Sequence, residues 1–244
     1  MADSVSRIEV PFTTIPHFEA KARENALAMS QVGVDELAHM FRINNKLATE
    51  NCLRYRNFFS EDNAAFPAVL AYTGMVFKHI GAVSFTSADF VYAQEHLFIA
   101  SFLYGLLRPL DQIKRYRLEG GVRMPGHDCT VFDYWKLLLT DYFIDIIMQA
   151  GGVLVYLASA EMKKLFQWKR VERSVRVITP EFWVMKNGKP KTVTLYAKMC
   201  RGEMVRFLLK NRIEDAEQLA GFQWEGFAFH PEASAPDRPI FILG

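Results

Sequence analysis

The chain is predicted to fold as a mixed α/β domain. Helical spacing of apolar residues dominates its first sixty positions, short β-branched and aromatic runs follow residue 150, and an Asn-Gly pair separates two of those runs. At 244 residues the sequence can bury a sizeable core. With no repeat, low-complexity tract or linker, residues 1–244 read as a single domain: a mixed sheet flanked by helices, with a helix-hairpin-helix-like element near the start.

The helices come first. Pro16 suits a first turn, and Phe18, Ala22, Ala26 and Met29 then recur at helical spacing. A second helix follows Gly33, with Val34, Leu37, Ala38 and Phe41 on one face. After a break at Asn44 and Asn45, a third carries Leu47, Ala48, Cys52, Tyr55 and Phe59 inward. Two short helices with a tight connection can present backbone N–H groups to a phosphate. Asn44 and Lys46 are the candidate anion contacts there, although residues 43–46 lack the hairpin glycine such elements usually have. An ordinary core helix pair is the competing reading.

Further on, residues 68–72 read as a strand or a buried helix start, and Thr86 or Ser87 caps a helix expected to run through Tyr92 and Glu95 to Leu107. Residues 97–107 are the longest apolar run, too short for a membrane span of about 20 residues. Residues 153–157 are expected to form a central strand, and 175–178 and 181–186 two more. Asn187-Gly188 signals a hairpin whose return strand is placed at 191–196. A helix is expected over 198–212, with Cys200, Met204, Phe207 and Leu208 on one face and Lys198, Arg201 and Arg212 on the other. The chain is expected to end in extended structure after Gly221.

Composition narrows the function. A net charge of +2 excludes a general polycation, so affinity for phosphate must come from local clusters of Lys and Arg. Three scattered cysteines and six scattered histidines form neither a disulfide framework nor a metal motif, and no cofactor is expected. Residues 1–7 have no apolar leader segment, which makes a cytoplasmic protein the expectation.

Three basic groups stand out. Arg108, Lys114, Arg115, Arg117 and Arg123 oppose only Asp111 and Glu119 in a loop punctuated by Pro109 and Gly120-Gly121. One or two arginines are expected to pair with those acids, the surplus facing a ligand. Residues 163–176 hold six Lys and Arg around Trp168 and read as a solvated helix face. Lys198 and Arg201 lie at the start of a helix, where native helices usually carry acids, which points to an anion site. No nucleophile elbow, P-loop or dinucleotide fingerprint occurs. Ser159, Glu161 and Glu203 are isolated polar candidates only.

Several segments resemble one family. Residues 103–111 (Leu-Tyr-Gly-Leu-Leu-Arg-Pro-Leu-Asp) with 116–119 are similar to the central signature of the YaaA family of bacterial peroxide-stress proteins. The same holds for residues 157–161, 196–206, 211–213 and 221–226, in order and spacing across roughly residues 10 to 230. The resemblance implies a cytosolic protein that limits iron-dependent oxidative damage, with a basic cleft binding duplex DNA. It further implies that Arg108, Arg117, Lys198, Arg201 and Arg206 are the basic contacts and residues 43–46 the hairpin. Members usually begin with an apolar strand and a lysine-bearing loop before the segment matching 11–14, so a truncated N-terminus or an internal start is the expectation here. Thr73-Gly74-Met75 stands where many members have Lys-Gly-Asp. The alternative is an enzyme acting in that cleft on a nucleotide-like or phosphorylated small molecule, with Glu119, Lys198 or Glu203 as acid or base.

Overall fold

The computed structural model describes Met1 and residues 8–244; residues 2–7, most of the segment read above as leaderless, lie outside the described residues. Helices open the chain: α1 (Glu19–Ser30), α2 (Val34–Phe41) and α3 (Asn45–Arg56). Short elements follow, β1 (Phe66–Pro67), α4 (Ala68–Ala71), α5 (Met75–Ile80) and α6 (Ser87–His96). Next come β2 (Ile99–Ser101), β3 (Gly105–Leu107), β4 (Gln112–Ile113) and the long α7 (Val131–Gln149). After β5 (Val153–Val155), a 3-10 segment (Ala160–Leu165) and α8 (Trp168–Ser174), the chain forms β6 (Arg176–Ile178), β7 (Glu181–Lys186) and β8 (Lys189–Lys191). It closes with α9 (Thr194–Lys210), β9 (Gln223–Trp224), β10 (Phe227–Phe229) and β11 (Ile240–Leu243). The class is mixed α/β, as predicted.

These elements sort into two compact units, each gathered from three stretches of chain. The first comprises Met1–Tyr72, Leu97–Tyr142 and Ala160–Trp168; the second comprises Thr73–His96, Phe143–Ser159 and Lys169–Gly244.

In the first unit the predicted faces of α1 to α3 are buried through Ala22, Ala26, Met29, Leu37, Phe41, Ala48, Cys52 and Tyr55. Leu47 and Phe59 were expected inside and are not, at 38% and 39% exposure. Leu47 lies roughly 90° from the centre of the α3 face formed by Ala48, Asn51, Cys52 and Tyr55, counting about 100° per residue. The apolar run 97–107 is a hairpin rather than the end of a helix, with β2 and β3 antiparallel. Its residues are apolar on every side, so no periodicity distinguishes strand from helix. The Ser101 Oγ accepts the Tyr104 N–H at 3.0 Å and closes the turn. Trp135 of α7, fully buried, fixes this hairpin by donating its indole N–H to the Phe102 carbonyl at 2.7 Å.

The second unit is built on a five-stranded mixed sheet in the order β8-β7-β11-β10-β9, with β7 and β11 parallel and the other neighbours antiparallel. Asn187 (φ 53°) and Gly188 (φ 72°) make the left-handed turn that the Asn-Gly pair predicts. The return strand stops at Lys191, short of the expected 191–196, and Thr194 already begins α9. β5 was read as a central strand but pairs only with β6, in a separate two-stranded parallel sheet, and Val153 is 43% exposed. Cys200 and Met204 of α9 join Phe182, Phe222, Phe227 and Phe241 in the core.

Helices α5 and α9 cross at Gly202. A Cβ built there would lie 2.3 Å from the Val76 carbonyl oxygen and 2.6 Å from the His79 Cβ. Only the missing side chain lets the two backbones approach this closely.

Candidate nucleic-acid interface

Helix α9 carries three of the sequence-predicted contacts. Its first turn holds no acidic residue, and Val193 at the N-cap supplies no side-chain hydrogen bond, so the leading N–H groups keep their partial positive charge. Lys198 and Arg201 fall one and two turns into the helix, later than predicted, because the helix starts at Thr194. Helical side chains lean toward the N-terminus, so both still project back along that first turn. Lys198 is exposed, and neither residue has a carboxylate partner among the described residues. Burial lowers the pKa of Arg201, with nearby Tyr156 acting in the opposite direction. Arg201 is therefore a partly desolvated guanidinium without a counter-ion, the state in which an incoming anion gains most.

The other cations of α9 are engaged. The Arg206 Nη1 donates to the carbonyls of Ile80 and Gly81, both at 3.2 Å, and to the Ser84 hydroxyl at 2.8 Å. That contact caps the C-terminal end of α5. Arg212 was expected on the same face as Lys198 and Arg201, but it lies past the end of the helix at φ 53°. It pairs with Asp89 at 3.0 Å and donates to the Leu209 carbonyl. Lys210 takes the other oxygen of Asp89 at 2.7 Å. Burial opposes ionisation of Asp89, but hydrogen bonds from Lys210, Thr86 and Arg212 outweigh it and hold the carboxyl well below the ordinary range. The stability this contributes is present above the ordinary carboxylate pKa and is lost as pH falls through the depressed one.

Glu203, the acid/base candidate, accepts a 2.9 Å hydrogen bond from His79 or shares its proton with it. The His79 ring meets Trp224 edge-on, with centroids 5.4 Å apart. Glu203, Arg206, Phe207 and Trp224 border a cavity of about 270 Å³.

In the first unit the Arg108 loop is fastened by Asp111, which is 3% exposed. Its carboxylate accepts the Thr14 hydroxyl and the Arg108 backbone N–H, both at 2.7 Å. The Arg108 guanidinium lies 5.3 Å from the centroid of the Phe98 ring. Arg117 pairs with Glu119 at 2.7 Å, one of the pairings expected within this loop. The α2–α3 connection also has a local explanation. Arg42 adopts φ 52°, the left-handed conformation that a glycine would normally supply. The Asn44 side chain accepts the Leu47 N–H at 2.9 Å and so caps α3 itself, while Lys46 is exposed. Asn44 and Lys46 thus sit with Arg108 and Arg117 in the first unit, and Lys198, Arg201 and Arg206 sit in the second. Among the described residues, no three His, Cys, Asp or Glu side chains group as metal ligands, and no helix is long and apolar enough to cross a membrane.

The sequence of this scaffold matches a family model described as "Peroxide stress protein YaaA" over residues 2–233. The chain belongs to the YaaA peroxide-stress family. Among its relatives are UPF0246 proteins from Bacteroides fragilis (56% identical over 241 residues) and Phocaeicola vulgatus (54% over 239). Each match spans 98% of this chain and 94% of the relative. A UPF0246 protein of Porphyromonas gingivalis is 47% identical over 234 residues, 95% of this chain and 91% of that one.

Family membership gives the chain a peroxide-stress role, and its signature segments now have physical readings. The 103–111 signature holds the second strand of the buried hairpin and the Asp111-fastened loop. The 196–206 signature contains the free cations Lys198 and Arg201, the Gly202 crossing and the Arg206 cap. The sequence reading missed Asp89 and His79 as partners, because the ion pairs and caps they enter join residues more than 120 positions apart.

Proposed function

We propose that this YaaA-family chain works in the cytoplasm during peroxide stress by binding duplex DNA through its phosphates, so limiting iron-dependent damage to it. The observation that carries this reading is the pair Lys198 and Arg201, two cations without carboxylate partners beside an uncapped helix start. Phosphate contacts of this kind position a duplex without reading its bases. Exposed Lys46 at the α2–α3 turn, together with Arg108 and Arg117, supplies further positive charge in the hairpin-bearing unit. The enzymatic reading is weaker, since Glu203 bonds to His79 and Glu119 to Arg117, which leaves Lys198 without an acid or base beside it.

Fluorescence polarisation with a labelled duplex tests the proposal. The logarithm of the binding constant should fall linearly with the logarithm of salt, with a slope of about −0.9 per phosphate contacted. The double variant Lys198→Gln/Arg201→Gln should reduce that slope by roughly two units. Affinity that stays flat with salt sinks the reading.

A further inference from the structure

Lys163 and Lys164, read from the sequence as part of a solvated face, border a cavity of about 390 Å³ in the first unit. Its walls are the rings of Phe132, Phe166 and Trp168, with Lys136 also at the edge. This volume falls at the small end of ligand sites, suited to one compact molecule rather than a polymer segment.

The walls are held from behind. Gly120 packs so closely on Phe132 that a Cβ at that position would lie 2.2 Å from the ring, and the Phe132 N–H donates to the Gly120 carbonyl at 2.9 Å. Phe166 is 4% exposed, and the next N–H, that of Gln167, is tied to the Thr140 hydroxyl at 2.9 Å. Two of the three aromatic walls are therefore fixed without a ligand.

The charge is one-sided. Asp133 is the acid bordering the cavity, and it already pairs with Lys136 at 2.7 Å and accepts the Thr130 hydroxyl at 2.7 Å. Lys163 and Lys164 supply the excess. Their ammonium groups sit over the Trp168 ring at 4.6 Å and the Phe132 ring at 5.2 Å. A charge-assisted hydrogen bond to phosphate is stronger than an exposed cation–π contact. A phosphate would draw both ammoniums off the rings and bare the faces beneath.

Ring faces and a pair of mobile cations on one cavity suit a flat uncharged ring joined to a phosphate. We propose that this cavity binds a single nucleotide, with its phosphate on Lys163 and Lys164 and its base against Phe132, Phe166 and Trp168. The nucleotide is either a free monophosphate or an unpaired residue of a single strand. Bases inside a duplex cannot present their faces, so the site is separate in kind from the duplex contacts proposed above.

The test uses the full chain with adenosine 5′-monophosphate, a short oligothymidylate and a blunt duplex, followed by calorimetry and tryptophan fluorescence. Saturable binding of the monophosphate or the single strand is expected, and Lys163→Gln/Lys164→Gln should weaken it on the order of tenfold or more. Whichever of the two probes loses affinity identifies the source. Trp168→Phe keeps a ring face and should retain binding while losing the fluorescence change. Lys198→Gln/Arg201→Gln should leave monophosphate affinity intact, so failure of the duplex reading does not decide this one. Absence of saturable binding by both probes, or equal affinity in the double lysine variant, overturns the proposal.

Discussion

Arg201 and its neighbour Cys200 illustrate how one turn of helix separates two chemistries. Arg201 faces away from the core, with Tyr156 as the nearby titratable group, and burial strips water from its guanidinium. Its importance was legible in the sequence because a helix start rich in cations and empty of acids inverts the usual pattern. The commitments of Arg206 and Arg212 were not legible, because Gly81, Ser84 and Asp89 are remote in sequence and periodicity cannot name a distant partner. Cys200 is fully buried, and burial pushes its thiol up to about 12, with Glu203 adding to the effect. The thiolate is the species peroxide attacks, so Cys200 is protected twice, by access and by protonation. Mass spectrometry of the native chain after hydrogen peroxide or iodoacetamide at mildly alkaline pH should find Cys200 unmodified. Modification of Cys200 ahead of the partly exposed Cys129 would contradict this reading.

At the scale of elements, Gly202 decides whether α5 and α9 can pack. The atoms facing it belong to the α5 backbone and cannot rotate away. Gly202→Ala should cost about 3 kcal/mol, the upper part of the range for overpacked cores. Gly221→Ala is the control: its added Cβ meets only a Phe207 ring atom at an ordinary 3.7 Å. Denaturant melts of the two variants give the comparison, and equal midpoints would dismiss the crossing as a constraint. Elements with strong periodicity or turn chemistry were legible, namely α1 to α3, the β7–β8 turn and the inner face of α9. The β2–β3 hairpin was not, since a uniformly apolar run carries no period, and a serine hydroxyl decides its turn. Helix α7 also escaped notice, although Thr130 accepts the Asp133 N–H at 3.2 Å in an N-cap pattern visible as Thr-Val-Phe-Asp.

For the molecule as a whole, composition and length pointed to one domain, whereas the chain gathers into two compact units that alternate along it. No local signal marks such an arrangement, because each boundary falls between residues of ordinary composition. The second unit opens with α5 and α6, but the helix that covers them is α9, where Gly202 meets Val76 and Lys210 meets Asp89. A fragment ending at Trp168 contains every stretch of the first unit, yet carries α5 and α6 without α9. It should self-associate in sedimentation experiments, and a monomer with a cooperative melt would refute that expectation. The same arrangement sets a schedule for synthesis. As the ribosome delivers the chain, Ile80 and Phe90 emerge more than a hundred residues before their cover. A nascent molecule therefore passes through an interval with these apolar faces bare, and chaperones that shield such surfaces would act on it during translation rather than after release.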